Sequence, residues 1–203
     1  MKLFTGVGPN PRVVTLFVAE RGADVEVQEV DLMGGENREA AHLARNPAGQ
    51  LPTLELDNGS FLSEITAICE YLDEVTPGDS LIGSTPEERA ETRMWVRRID
   101  LNIIENMANG FRFAEGIQLF EGRIRTIPQA ADDLKATARE RLEWLDGLME
   151  GKEFICGDRL TLADILLFAF LEFGNAVGQP LDAKCERLQA WYERMAARPS
   201  VTG

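Results

Sequence analysis

The side chains that most often carry chemistry are scarce in this sequence. There is one histidine, His42, and there are three cysteines, Cys69, Cys156 and Cys185, far apart along the chain. A zinc site draws about four ligands, mostly from these two residue types, so no metal centre is expected. An odd set of widely spaced cysteines gives neither a disulfide framework nor a C-x-x-C redox pair, and all three are read as buried or half-buried thiols. No run of about 18 uncharged apolar residues occurs, the length a membrane span needs. The opening "MKLFTGVG" also lacks the apolar core and cleavage signature of a secretion signal, so a cytoplasmic location is expected. Basic residues are in deficit, 21 Lys and Arg against 34 Asp and Glu, for a net charge of -13. That balance opposes binding to nucleic acid or to an anionic membrane. Neither G-x-x-x-x-G-K-[ST] nor G-x-G-x-x-G is present, which removes nucleotide hydrolysis and Rossmann hydride transfer from the front rank.

What is present is enough apolar material for a folded protein: 44% of 203 residues, room for one sizeable core or two smaller ones. The first 76 residues read β-α-β-α-β-β-α. "KLFT" is a short strand, and Gly6, Gly8 and Pro9 demand a loop. Asn10 then stands as a helix cap before Pro11, and the apolar spacing of "PRVVTLFVAERG" runs to Gly22. "DVEVQEVDL" is a second strand, "REAAHLARNP" a short helix ending near Asn46, and "LPTLEL" and "SFLS" flank the hairpin turn "DNG". "SEITAICEYLDEV" returns to helical spacing.

Residues 77–84 have the composition of a linker, and strand signals nearly vanish over 85–203. Thr85, Pro86 and Glu88 form a capping box with proline at the first helical position. The helix they open runs on toward Gly110, followed by helices after Pro128, in "GDRLTLADILLFAFLEFG" capped by Thr161 and Asp164, and in "CERLQAWYERMAARP". A small α/β domain followed by an all-helical domain is the resulting plan.

The pair of helix starts at residues 10–12 and 64–66, each following a strand and loop, can present unbonded N–H groups to an anion. Either they are ordinary helix starts, or together they hold a carboxylate and a thiolate.

"NPAGQLPTLEL" followed by "FLSEITAICEYL" resembles the glutathione transferase superfamily: the first carries its N-P-x-G-x-x-P pattern and the second part of its E-[ST]-x-A-I-x-x-Y-L pattern. "DRLTLADI" is similar to the cap of that family's core C-terminal helix. The resemblance implies a thioredoxin-like N-terminal domain over 1–76, a helical bundle over 85–203, a homodimer, and reduced glutathione as cosubstrate with no tightly bound cofactor. It implies a cis-proline at Pro52, with the Leu51 backbone pairing with the cysteinyl part of glutathione. Glu64 and the Ile65 N–H would take the γ-glutamyl end and Gln50 the glycine end. Arg12 would add positive potential, and Asp100 would reach across to the site of a partner subunit. Where the family places Tyr, Ser or Cys beside the sulfur, this chain has Val7, Gly8, Pro9 and Asn10. The opening loop is similar to that of nu-like members, so Asn10 is the expected active-site residue, with Thr5 the nearest upstream hydroxyl. The activity implied is attack of glutathione thiolate on a hydrophobic electrophile, in a detoxifying role, with Phe111 and Phe113 as candidate lining of a cleft between domains. Glutathione-dependent disulfide exchange is the runner-up, and a non-catalytic protein-binding module on the same scaffold is the third reading.

Overall fold

Leu3, Phe4 and Thr5 of strand β1 (Lys2–Thr5) are all buried, as an interior strand of a covered sheet must be. In this computed structural model, which describes residues 1–202, the chain groups into two units, Met1–Ser84 and the residues from Thr85 onward. The sheet of the first unit has the order β2-β1-β3-β4. Strand β1 leads through helix α1 (Pro9–Arg21) to the parallel edge strand β2 (Glu26–Glu29). Only four residues of the expected longer strand pair here, because β1 offers only four partners, Lys2 to Thr5.

A single 3-10 turn, Glu36–Arg38, and the short helix α2 (Ala40–Leu43) replace one continuous helix. Strands β3 (Thr53–Glu55) and β4 (Phe61–Leu62) form the expected hairpin, with Gly59 at φ 80° in its turn. Both run antiparallel to their neighbours. Helix α3 (Ile65–Val75) then packs against α1. Their buried faces carry Val13, Val14, Phe17, Ile68, Cys69 and Leu72, and Phe4 clusters with Val30 and Leu51.

The α1 start departs from expectation. Gly8, not Asn10, is the cap residue, Pro9 takes the first helical position, and Asn10 is second. Proline suits that first position because its φ is already helical and it has no N–H to leave unbonded, and the chain offers one at residue 9 as well as at 11. Gly8 adopts φ 122°, a conformation open to glycine and strained for other residues.

A buried ion pair closes this unit. Arg21 Nε lies 2.9 Å from Asp73 Oδ1, with side-chain exposures of 3% and 7%. The Arg21 guanidinium also donates to the carbonyls of Asp73 (3.1 Å), Asp79 (2.7 Å) and Thr76. Asp73 accepts in turn from Ser80 Oγ (2.5 Å) and the Leu81 N–H (2.9 Å). Residues 77–84, a linker by composition, are thereby tied to the ends of α1 and α3, and Leu81 and Ile82 are buried.

The second unit is helical. Helix α4 (Pro86–Ile99) opens on the expected box: Thr85 Oγ1 accepts from the Glu88 N–H at 3.1 Å, and Glu88 accepts from the Thr85 N–H at 3.3 Å. It does not run straight on. A π-helical turn, Asp100–Ile104, separates it from α5 (Glu105–Arg112). Asn102 Nδ2 donates to the Arg98 carbonyl and Asn106 Nδ2 to the Asn102 carbonyl, each at 2.8 Å. Such side-chain donors compete with the backbone for those carbonyls, a local reason for the wider turn.

A short helix α6 (Ile117–Phe120) follows, then α7 (Ala131–Leu148), α8 (Leu162–Ala176), α9 (Glu186–Ala196) and a last turn α10 (Pro199–Thr202). Every residue of α8 from Leu162 to Leu171 is buried, so this helix is the centre of its unit. Its start is held by Asp164, which is fully buried. Oδ1 accepts from the Ile155 N–H (2.9 Å) and Trp191 Nε1 (3.0 Å), and Oδ2 from the Thr161 N–H and hydroxyl (3.0 Å each). Burial pushes the Asp164 pKa up, while these four donors pull it back.

Candidate functional site

Strand directions decide which loops meet. Because β3 runs antiparallel to β1, the start of β3 lies beside the end of β1. Because β4 runs antiparallel to β3, the end of β4 lies at that same margin. The β1–α1 loop, the Gln50–Pro52 segment and the Glu64–Ile65 start of α3 therefore share one edge of the sheet. Contact confirms part of this: a Cβ built on Gly6 would lie 3.0 Å from Leu51 Cδ1 and 2.9 Å from the Val30 carbonyl oxygen. Asn10, Arg12, Gln50, Leu51, Pro52, Glu64 and Ile65 all belong to this unit, and Asp100 belongs to the other.

Both helices that start at this edge lack a side-chain cap and an acidic residue in the first turn. Each of the other long helices has at least one first-turn carboxylate: Glu87 and Glu88 in α4, Glu105 in α5, Asp132 and Asp133 in α7, Asp164 in α8, Glu186 in α9. In a chain of net charge -13, two helix starts without a first-turn carboxylate lie at one margin, and the one acid at either cap position is Glu64. A helix end of this kind favours a negative charge by about 0.3–1 kcal/mol when exposed and by more when partly buried.

The donors differ between the two ends. In α1, Pro9 and Pro11 have no N–H, and the Arg12 N–H already bonds the Gly8 carbonyl at 3.2 Å. Asn10 is thus the one residue of that first turn with an N–H to offer, and its half-buried side chain adds an amide. Through its bond to Gly8 the Arg12 N–H belongs to the helical ladder and is not among the donors this end offers. Arg12 is half-buried and engaged with its neighbours. In α3, the first intrahelical bond comes from the Ile68 N–H to the Glu64 carbonyl, so the N–H groups of Ile65, Thr66 and Ala67 precede the ladder. Glu64 is exposed and sits at φ 70°, the one non-glycine residue at positive φ among the described residues. Such a backbone costs about 1–3 kcal/mol and persists where surrounding structure holds it.

The Leu51–Pro52 peptide is cis, immediately before β3. Leu51 is buried, and its N–H and C=O make no hydrogen bond among the described residues. The Gln50 side chain is exposed, whereas its carbonyl accepts from His42 Nε2 (3.0 Å), Asn46 Nδ2 (3.0 Å) and, more weakly, Thr53 Oγ1 (3.4 Å). Asn46 opens the N-P-x-G-x-x-P motif, whereas motif reading gives no sign that His42 bonds the turn before Leu51. Buried Asn37 donates to the Gly49 carbonyl at 2.6 Å, and the Ala48 N–H donates to Asn46 Oδ1 at 3.1 Å, so the whole turn before Leu51 is tied down.

The other candidates belong to the second unit or are buried in the first. Asp100 begins the π-helical turn and pairs with Arg97 at 3.3 Å on the same helix. Phe113 is buried. Phe111 packs edge-on against Phe173 and Phe120, with ring centroids 5.0 and 6.3 Å away. Thr5 is buried with its hydroxyl unpartnered. The three cysteines are free and buried. Burial pushes the thiol pKa well up in Cys69 and up in Cys156, and in Cys185 up to about 11, which leaves all three poor nucleophiles at neutral pH. Among the described residues no group of three or more His, Cys, Asp or Glu side chains is placed to hold a metal ion, and no helix is long and apolar enough to cross a membrane.

Both units match known family descriptions. The family description "Glutathione S-transferase, N-terminal domain" matches residues 1–74, and "Glutathione S-transferase, C-terminal domain" matches residues 112–199. Glutathione S-transferase 2 of Saccharomyces cerevisiae is 31% identical over 97% of this chain and 85% of its own length. Glutathione S-transferase GstA of Escherichia coli O157:H7 is 31% identical over 99% of this chain and 95% of its own. The crystal structure of a glutathione S-transferase domain-containing protein from Marinobacter aquaeolei VT8 superposes with a TM-score of 0.92 at 35% identity, covering 99% of this chain and 100% of that one.

Proposed function

Since this chain belongs to the glutathione transferase family, with a small thioredoxin-like sheet unit and a helical unit, we propose that it activates glutathione thiolate at the amino terminus of α1 for attack on a hydrophobic electrophile. The observation that carries this reading is the pair of helix starts at one sheet margin that lack first-turn carboxylates. Glutathione is a cosubstrate with two carboxylates and a thiol, and it needs donors spaced along its length. In this reading the Leu51 N–H and C=O pair with its cysteinyl backbone, while the α3 start and Glu64 take the γ-glutamyl carboxylate and amine. Gln50 reaches the glycine end and Arg12 adds positive potential. The chain acts as a homodimer, in which Asp100 would serve the site of a second copy.

The chemistry is ionisation followed by displacement. The thiol proton leaves to solvent, because the one histidine is committed to the Gln50 carbonyl. Sulfur then forms a bond to the electrophilic carbon, and the leaving group departs with its electron pair. With an electrophilic sulfur in place of carbon the same step gives a mixed disulfide, and a second glutathione completes the exchange. Either way the sulfur is glutathione's own, since the protein's thiols are buried. A thiol of pKa about 8.5 is about 3% ionised at pH 7, and lowering it by about two units takes about 2.7 kcal/mol of preferential stabilisation. A charge-assisted hydrogen bond and a helix end together supply that amount.

Asn10→Ala tests the assignment. Its turnover with an activated aryl halide at neutral pH should fall by about 10- to 100-fold, the loss of one or two charge-assisted bonds. The deficit should shrink as pH rises past the free thiol's value of about 8.5, where ionisation needs no help. Asn10 is not the cap residue, so the folded fraction should stay unchanged. Wild-type turnover in a folded Asn10→Ala protein would remove Asn10 from the mechanism.

A further inference from the structure

His42 is buried at 2% exposure, and its ring nitrogens are treated unequally. Nε2 lies 3.0 Å from the Gln50 carbonyl. A carbonyl can only accept, so Nε2 carries the proton. Nδ1 is buried with no hydrogen-bond partner, and an orphaned buried nitrogen costs stability. A leucine would fill the space without that cost, and the Gln50 carbonyl would still keep Asn46 Nδ2 and Thr53 Oγ1. On stability grounds alone, histidine is therefore a poor choice here. What histidine adds over leucine is the bond to the Gln50 carbonyl.

That bond acts on a group beyond the carbonyl. Gln50 C=O and Leu51 N–H belong to one planar peptide group, in which a trans bond points the oxygen and the hydrogen in opposite directions. Fixing the oxygen toward His42 and Asn46 fixes the Leu51 N–H pointing away from them. Hydrogen bonds accepted by a peptide oxygen also polarise the group and strengthen its N–H as a donor. The Leu51 N–H has no partner among the described residues, so the aimed donor is available to a ligand.

Resting on the functional reading above, we propose that His42 is a positioning residue for the thiol substrate, aiming and polarising the Leu51 N–H through the Gln50–Leu51 peptide so that it binds the cysteinyl backbone of glutathione. His42 touches no reacting atom and takes no proton. Its contribution is to substrate binding, and the chemical step is indifferent to it.

The test is calorimetric titration of reduced glutathione into the full-length wild type, His42→Leu and His42→Gln, with steady-state kinetics at saturating glutathione and the Leu51 amide followed by nitrogen-15 NMR. His42→Leu should weaken binding by about five- to tenfold, the scale of one hydrogen bond. Its kcat should stay within about twofold, and the Leu51 amide proton should move upfield before any ligand is added. His42→Gln, whose side-chain amide reaches about where Nε2 lies, should recover most of the affinity. Unchanged affinity in a folded His42→Leu protein, or glutamine no better than leucine, overturns the proposal. If the leucine variant does not fold, glutamine is compared with the shorter asparagine: affinity higher with glutamine supports the role, and equal affinity overturns it. A wild type that takes up no glutathione would overturn the functional reading itself, and this proposal with it. That result is distinct from one in which wild type binds and the variants bind equally well.

Discussion

Asp164→Ala should unfold at a temperature about 8 to 16 °C below the wild type, the consequence of about 4 kcal/mol in a chain of this length. Four donors converge on this carboxylate, from Ile155, Thr161 twice, and the Trp191 indole. Alanine would leave them buried without an acceptor, which costs more than the bonds themselves contributed. The loss also disconnects the α8 start from α9, because Trp191 sits fully buried on α9. Tryptophan fluorescence during thermal unfolding checks this, and Asp164→Asn, which keeps one acceptor oxygen, should fall between the two. The pH dependence has a definite sign. Burial sets the folded pKa above the unfolded value, so the folded state holds this proton more tightly. The group's contribution to stability is therefore largest below the unfolded value. It declines as pH rises through the window up to the folded pKa, and is constant above it. The alanine variant should lack that slope.

Asp73→Ala should cost about 3–5 kcal/mol, the usual loss when one partner of a buried ion pair is removed and the other charge stays behind. Arg21 would be left inside the first unit, and Ser80 Oγ and the Leu81 N–H would lose their acceptor. Replacing both partners together, Arg21→Met with Asp73→Leu, should recover only part of the loss. Arg21 also serves the carbonyls of Asp73, Thr76 and Asp79, and methionine leaves those without a donor. Urea unfolding followed by circular dichroism reads both effects as midpoint shifts. A single variant that unfolds with the wild type would mean the pair is solvated rather than buried.

Local patterns carried much of the fold into the sequence. The Thr85-Pro86-Glu88 start, the hairpin turn at Gly59 and the Thr161–Asp164 cap all depend on neighbours a few residues apart, and all are found. The α1 start was misplaced because Pro9 and Pro11 both satisfy the rule for a first helical residue, and only the backbone angle of Gly8 decides between them. The π-helical turn at Asp100 arises from asparagine side chains competing for carbonyls, which hydrophobic spacing does not register. The Arg21–Asp73 pair joins residues on different helices, and nothing in either local stretch announces it. For the candidate site, the motif residues around Pro52 and Glu64 were legible through family resemblance. The absence of carboxylates from two helix starts was present in the sequence all along. It became informative only when strand directions brought those starts to one margin.

The ionisation of the bound thiol is the direct measure of what the α1 start does. Thiolate absorbance of glutathione should be titrated in complex with saturating wild-type protein and, separately, with Asn10→Ala. Wild type should lower the thiol's pKa by about two units from its free value of about 8.5, and the variant should return most of that shift. A bound thiol that ionises as the free tripeptide does, or an equal shift in both proteins, would contradict thiolate stabilisation by Asn10 at this helix end.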